Sequence, residues 1–290
     1  MISYFAIAIQ KNGQTKVTDT VIPEIKNFPD GTYMISAPDI DEKMLVKGIQ
    51  LSWKYENEAE LPVLIYLTEN LKDRYPHLRL RLYMPYLPNA RMDRTYKPSE
   101  VFTLKYFCSV INSLGFDKVS VLDVHSNVGV ALLDRCESIS PNKYIAQMLL
   151  ECGFDPDRDY LFFPDEGSCK RYSGLQAITE CKNIGFGIKK RDWDTGKILG
   201  LNAVGPDPKG KRVFIIDDIC AYGGTVYYSA EKLKELSCED INVFFTHCEN
   251  SIAKGKLFSC GMIKGIYTTN SLCSLNEEEY PLLHIYDCFE

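Results

Sequence analysis

The stretch that most constrains this chain is residues 213–225, VFIIDDICAYGGT. Val213-Phe214-Ile215-Ile216 is an apolar run of strong β-formers that ends in two adjacent carboxylates, Asp217 and Asp218. A glycine pair, Gly223-Gly224, follows, and Thr225 opens a segment in which Val226, Ala230, Leu233 and Leu236 recur near helical spacing. The pattern predicts strand, loop, helix. In an open parallel sheet, ligands bind at the carboxyl ends of the strands. A glycine-rich loop at a helix start is an anion cradle, because free N–H groups and the helix dipole point at the ligand. Carboxylates beside such a cradle suit a sugar phosphate: they accept hydrogen bonds from vicinal hydroxyls while the N–H groups hold the phosphate.

A chain of 290 residues makes one large or two ordinary domains, and an apolar fraction of 45% supplies sizeable cores. The net charge of −6 argues against a broad basic face for nucleic acid, so polyphosphate binding must rest on local Lys and Arg and on metal ions. The cysteines number eleven, an odd count with no C-x-x-C pair, and read as reduced, mostly buried thiols of a cytoplasmic protein. The segment Met1–Ile9 lacks the basic region of a signal peptide, and no stretch reaches membrane-spanning length. Neither nucleic acid nor membrane is expected as a partner.

Along the chain, residues 2–9 read as a strand, Asn12-Gly13 as a hairpin turn, residues 15–25 as its return, and Asn27–Thr32 as a further turn. Residues 57–75 predict a helix with Leu61, Leu64, Leu67 and Leu71 on one face, stopped by Pro76. The alternating strand 78–84 runs into Pro85-Tyr86-Leu87-Pro88-Asn89-Ala90-Arg91-Met92-Asp93-Arg94. Ser99 is placed to cap a helix whose apolar face is Val101, Leu104, Phe107, Ile111 and Leu114, ended by Gly115. The strand Val119–Leu122 leads to Asp123-Val124-His125-Ser126, and a second half begins near Ser138. There a helix over 139–152 precedes a buried strand, Tyr160–Phe163, which ends in Pro164-Asp165-Glu166-Gly167-Ser168-Cys169-Lys170-Arg171. The strand Ile184–Ile188 delivers Lys189-Lys190-Arg191. Residues 192–210, with four glycines and two prolines, read as a mobile loop. After 213–225, the strand Ile241–Phe245 reaches Thr246-His247-Cys248, helix and strand fill 255–273, and Glu277-Glu278-Glu279 is a solvated charge run.

Residues 213–225 resemble the ribose-phosphate loop of type I phosphoribosyltransferases and of ribose-phosphate pyrophosphokinase (PRPP synthetase). Residues 85–94 resemble the P-Y-x-P-Y-A-R-Q-D signature of the PRPP synthetases, which ordinary phosphoribosyltransferases do not carry. Asp123-Val124-His125 is similar to that family's D-L-H, residues 164–171 to its P-D-x-G-G-x-K-R, and Lys189-Lys190-Arg191 to the K-x-R that opens its catalytic loop. Phe28-Pro29-Asp30-Gly31-Thr32 resembles its F-x-D/N-G-E segment. The resemblance implies an α/β fold of two type I phosphoribosyltransferase-like domains, over 1–137 and 138–290, each with a mostly parallel sheet flanked by helices. It implies ATP at Phe28, Asp30, Arg91, Asp93, Arg94 and Lys170, with the last two residues of 164–171, Lys170 and Arg171, facing phosphate. Catalytic roles fall to Lys189, Arg191, Arg91 and His125, and Mg²⁺ to His125 and Asp165. The ribose-phosphate acceptor falls to Asp217, Asp218, Ala221, Tyr222, Gly223, Gly224 and Thr225. An arm that carries Phe28 into a neighbouring subunit implies a homodimer or higher homo-oligomer.

The family's reaction moves the β,γ-diphosphate of ATP to the anomeric hydroxyl of ribose 5-phosphate and releases AMP. Several residues depart from the family pattern. Thr32 stands where the family has Glu, and Thr95–Glu100 replaces a basic stretch tied to phosphate-dependent control. Ala221 replaces a carboxylate used on the sugar phosphate, and Tyr222 replaces a small hydroxyl donor at the 5′-phosphate. A phosphodiester needs less donation there and more room, and a tyrosine ring can stack on a base. This places ADP-ribose, giving ADP-ribose pyrophosphate as in phage NAD⁺-rebuilding pathways, slightly ahead of plain ribose 5-phosphate. A phosphoribosyltransferase would leave Arg91 to Arg94 and His125 unexplained. A catalytically silent regulatory subunit would explain the altered loop but not the persistence of Arg91, His125, Asp165, Lys189 and Arg191.

Overall fold

A computed structural model of the chain describes residues 1–9, 15–40, 45–191 and 198–289, apart from the side chains of 9, 45, 189–191 and 198–200. The expected hairpin turn at Asn12-Gly13 lies outside the described residues. The chain divides into two compact units, Met1–Ser140 with Phe289, and Pro141–Cys288.

The first unit contains β1 (Ile2–Ile9), β2 (Thr15–Val17), β3 (Glu24–Asn27), β4 (Tyr33–Ser36), β5 (Leu45–Trp53), α1 (Glu60–Arg74) and β6 (Arg79–Tyr83). It continues with α2 (Thr103–Ser113), β7 (Lys118–Leu122), α3 (Asn127–Leu132) and β8 (Cys136–Ile139). Six strands form one sheet in the order β2-β1-β5-β6-β7-β8. β1 runs antiparallel to β2 and β5, while β5 to β8 are parallel. The core follows from the periodicities. Alternate residues Tyr4 and Ala6 of β1 and Ile49, Leu51 and Trp53 of β5 are buried with Leu64, Leu67 and Leu71 of α1. Each buried leucine contributes about 2 kcal/mol. β3 and β4 form a separate two-stranded hairpin, and the turn expected at Asn27–Thr32 is its tip.

α2 starts later than its sequence pattern implies. Its N-cap is Phe102, so Ser99 does not cap it, and Val101 lies outside the helix and exposed. The reason is local: the Glu100 carboxylate turns back to accept from Tyr96 N at 2.7 Å, which closes a separate turn ahead of the helix.

The second unit contains α4 (Asn142–Glu151), β9 (Tyr160–Phe163), α5 (Glu166–Arg171), α6 (Gly174–Thr179), β10 (Ile184–Arg191) and β11 (Ile198–Val204). It continues with β12 (Val213–Cys220), α7 (Gly224–Glu235), β13 (Ile241–Cys248), a 3-10 turn (Asn250–Lys254), β14 (Ile263–Thr269) and β15 (Leu283–Tyr286). Its seven-stranded sheet has the order β11-β10-β9-β12-β13-β14-β15. Every neighbouring pair is parallel except β10–β11. β9 and β13 are buried along their whole length, as expected of parallel strands covered on both faces.

Two expectations are corrected here. Residues 198–204, read as loop, form β11, whose Leu201 joins the core beside Tyr160 and Phe162; residues 192–197 lie outside the described residues. The helix expected within 255–273 is replaced by turns that lead into β14, after the short 3-10 turn has ended at Gly255.

Candidate functional site

In the second unit the candidate site is built on β12, which lies between β9 and β13. The strand does not end at the carboxylates. Its register with β13 continues through Asp217↔Phe245 and Ile219↔His247 to Cys220↔Cys248. The end of β13, where its register with β14 shifts between Phe245 and His247, is tied down by a buried polar network: His247 Nδ1 lies 2.8 Å from Ser271 Oγ, and Thr269 Oγ1 donates to Thr246 O at 2.7 Å. The connecting loop is therefore only Ala221, Tyr222 and Gly223.

Strand alternation sends the two carboxylates to opposite faces. Asp217 is half-buried and accepts from Asp218 N at 3.1 Å. Asp218 is 7% exposed, accepts from Ile219 N at 2.9 Å, and forms an ion pair with Arg171 Nη1. Arg171, which the resemblance turned toward phosphate, is thus tied to a carboxylate of the sugar-binding pair.

α7 begins without a side-chain cap among the described residues, so the N–H groups of its first turn point outward from the strand end. Gly223 is its N-cap at φ 77°, a left-handed conformation that L side chains rarely adopt, and a Cβ there would overlap Leu257 Cδ1. Gly255 is pressed just as closely against the Tyr222 carbonyl. The 252–257 segment therefore floors the loop from beneath. The Tyr222 ring stands 61% exposed. Thr225 is half-buried in the first helical turn, with its carbonyl taken by Ser229 Oγ at 3.0 Å.

Asp165 is the N-cap of α5. Its Oδ1 accepts from Ser168 N at 2.9 Å, and Asp165 N donates to Ser168 Oγ at 3.2 Å, completing a capping box. Ser168, standing where the related motif has a glycine, gives this box its second member. Lys170 is exposed and pairs with Glu166 at 2.9 Å, which raises its pKa. Lys189 and Arg191 lie on β10 in register with Leu201 and Ile198 of β11, and their side chains are outside the described residues.

In the first unit, residues 84–94 are fastened to β7: Met84 N donates to Ser120 O at 2.9 Å, and Leu122 N to Pro85 O at 3.0 Å. Tyr86, Leu87 and Ala90 are buried, while Arg91 is exposed. Asp93 is 8% exposed and receives Arg94 Nε at 2.9 Å. The Arg94 guanidinium holds the Asp93 carboxyl below its usual range, against the opposing effect of burial. The 85–94 and 123–126 motifs are neighbours: Leu87 and Val124 both border the space that a Cβ on Gly129 would take. His125 itself is half-buried, just ahead of α3. At the β3–β4 tip, Phe28 is half exposed, and Asp30 accepts from both the hydroxyl and the N–H of Thr32, which lowers its pKa. Thr32 therefore locks Asp30 within the tip.

The Arg171–Asp218 pair and the Ser168 capping box were not read from the sequence. The Asp-x-x-Ser spacing signals the box; nothing local signals a pair separated by 47 residues. All eleven cysteines are free and none is exposed. Among the described residues no helix is long and apolar enough to cross a membrane.

No protein-family model matches the chain. It is 28% identical over 227 residues to a ribose-phosphate pyrophosphokinase of Pyrococcus furiosus, covering 77% of each chain. It is 29% identical over 239 residues to that of Methanobrevibacter smithii, covering 79% of this chain and 78% of the other. Its structure matches that of phosphoribosylpyrophosphate synthetase from Mycobacterium smegmatis with a TM-score of 0.73 at 20% identity, over 92% of this chain and 86% of that one. The chain is a divergent relative of the ribose-phosphate pyrophosphokinases, a diphosphotransferase family, and its units have the type I phosphoribosyltransferase-like α/β fold.

Proposed function

We propose that the chain transfers the β,γ-diphosphate of ATP, as a unit, to the anomeric hydroxyl of a ribose 5-phosphate unit, releasing AMP. The observation that carries this reading is the β12–α7 junction, where Asp217 and Asp218 are separated from an uncapped helix N-terminus by a short glycine-terminated loop. Asp217, on the face of β12 away from the Arg171–Asp218 pair, takes the ribose hydroxyls, Asp218 acts through Arg171, and the N–H groups of Gly224 and Thr225 take the 5′-phosphate. Arg91, with the Asp93–Arg94 pair and His125, holds the ATP phosphates; Lys170 adds charge, and Phe28 and Asp30 serve the adenine. Lys189 and Arg191 neutralise charge that develops around the transferring β-phosphorus. Such chemistry asks for positioning and charge neutralisation rather than a covalent intermediate.

The donor chemistry fits Mg²⁺, which prefers oxygen ligands and keeps several waters instead of an all-protein cage. Among the described residues no three His, Cys, Asp or Glu side chains gather into such a cage. His125 in the first unit and Asp165 in the second are each a candidate contact to such an ion or its waters, and when bound it offsets phosphate charge.

Ribose 5-phosphate is the acceptor favoured by the names of the relatives, which reverses the order drawn from Ala221 and Tyr222 alone. ADP-ribose stands as the second reading, favoured by one observation: the exposed Tyr222 ring beside the α7 N-terminus, where a base can stack. Purified protein with Mg²⁺-ATP and either acceptor decides between them by AMP release and product mass. PRPP from ribose 5-phosphate supports the first reading. AMP and a diphosphorylated product from ADP-ribose alone supports the second. AMP from neither acceptor overturns both.

A further inference from the structure

An open groove of about 520 Å³ lies in the first unit between β4 and α1, within the size range of small-molecule sites. Its walls are fixed at both ends. Tyr33 Oη donates to Ala59 O at 3.0 Å, at the start of α1, and Arg74 Nη1 donates to Ala37 O at 2.9 Å, at the end of the helix. β4 and α1 therefore run side by side in the same direction. Tyr66, Asn70 and Arg74 follow one another at i, i+4 and i+8, so they line about 12 Å of one helix face.

The two ends of the groove differ. At one end the aromatic residues are Tyr33 and Tyr66, and Tyr66 is 56% exposed, so its ring is open to a ligand. At the other end the Arg74 guanidinium is the one charge of the lining, and it is already matched. It pairs with Asp39, and Asn70 Oδ1 and Tyr75 Oη each take an N–H group at 3.3 Å. An anionic ligand would compete with Asp39 for the same donors. Between the ends, Asn70 and Ser36 are exposed, and neither Asn70 Nδ2 nor Ser36 Oγ has a hydrogen-bond partner among the described residues.

We propose that this groove binds a nucleoside, with the base stacked on Tyr66 beside Tyr33 and the sugar hydroxyls on Asn70 Nδ2 and Ser36 Oγ. A base has a flat π-face for the tyrosine ring, and a sugar hydroxyl both accepts and donates. The ligand bridges β4 to α1 and so braces the β3–β4 hairpin, whose tip carries Phe28 and Asp30.

Isothermal titration of the full-length protein with uridine, uracil, ribose and uridine monophosphate tests the proposal. Uridine is expected to bind more tightly than about 1 mM, and uracil and ribose, each filling one end, to be weaker by about tenfold or more. Uridine monophosphate is expected to match uridine within about threefold, because Asp39 already holds Arg74. Saturating Mg²⁺-ATP is expected to leave the uridine affinity unchanged. Tyr66→Ala should weaken uridine about tenfold, the loss of one stacked base, and Asn70→Leu about fivefold, the loss of one hydrogen bond. Both side chains are exposed, so neither change opens the core. Displacement of uridine by ATP, or a monophosphate bound at least about ten times more tightly than uridine, would assign binding to a phosphate site and overturn the proposal. So would failure of uridine to bind, or full affinity in either variant.

Discussion

With its ring in solvent beside an uncapped helix start, Tyr222 stands where the choice of acceptor is made under the proposed function. Tyr222→Thr restores a small hydroxyl donor for a terminal phosphate and removes a stacking surface. The expected result is a rise of about tenfold or more in kcat/KM for ribose 5-phosphate relative to ADP-ribose, read by AMP release with each acceptor; an unchanged ratio would remove Tyr222 from the acceptor site. Arg171 makes a different prediction, about stability. Arg171→Met leaves the Asp218 carboxylate buried without that partner and is expected to cost about 3 kcal/mol in urea unfolding. Adding Asp218→Asn should recover part of the loss, whereas simple additivity of the two changes would mean that the pair is not coupled. Tyr160 sets an alkaline limit. Burial raises its phenol from the ordinary 10.0 to about 12, while its hydroxyl donates to Pro206 O at 3.0 Å. The unfolded chain therefore ionises first, so this contribution is whole below pH 10 and is lost as pH climbs toward 12. Tyr160→Phe is expected to be about 1 kcal/mol less stable at pH 8 and to close that gap by pH 11, as urea midpoints at the two pH values would show. At this scale the sequence was legible where a residue type is tied to local backbone geometry, as at Gly223, whose φ of 77° makes the turn into α7. It was silent where meaning depends on a distant partner, as for Arg171.

Elements with one dominant pattern were the easiest to read. β9 is an unbroken apolar run, and α1 repeats leucine at helical spacing, so both were visible within a residue or a few of their observed ends. The errors fall where tertiary pairing overrides local composition. β11 hides in a glycine-containing stretch because its pairing with β10 and the burial of Leu201 supply what propensity does not. β12 runs past its carboxylates because β13 offers a continuous ladder as far as Cys248. The β12–α7 junction itself gives an element-scale prediction. Gly223→Ala must accept both φ 77° and overlap with Leu257, a combined cost of about 2–4 kcal/mol. Adding Leu257→Ala relieves the overlap but not the backbone strain. The double variant should therefore regain part of the stability lost to Gly223→Ala, beyond the cost of Leu257→Ala alone, while its KM for the ribose phosphate stays raised. A KM restored along with stability would mean that the loop conformation is not what holds the phosphate.

Each unit carries its own core. The buried cluster of the first draws on residues from Ile2 to Leu133, and that of the second on residues from Tyr160 to Leu283. A unit with a buried cluster built from its own residues has what a domain needs to fold alone. A fragment spanning 141–288 is therefore expected to give a dispersed NMR spectrum and one cooperative urea transition. A collapsed spectrum would show that β9 to β15 need more than their own helices. The first unit has one distant contributor, Phe289, whose ring meets Tyr83 edge-on at 5.7 Å. An aromatic pair of this kind contributes about 1 kcal/mol beyond the area it buries. Phe289→Ala in the full chain and a fragment spanning 1–140 should thus lose similar amounts of stability in the first unit, because both leave Tyr83 without that ring. A fragment much weaker than the Phe289→Ala chain would assign the first unit's stability to something beyond its own core and this one aromatic contact.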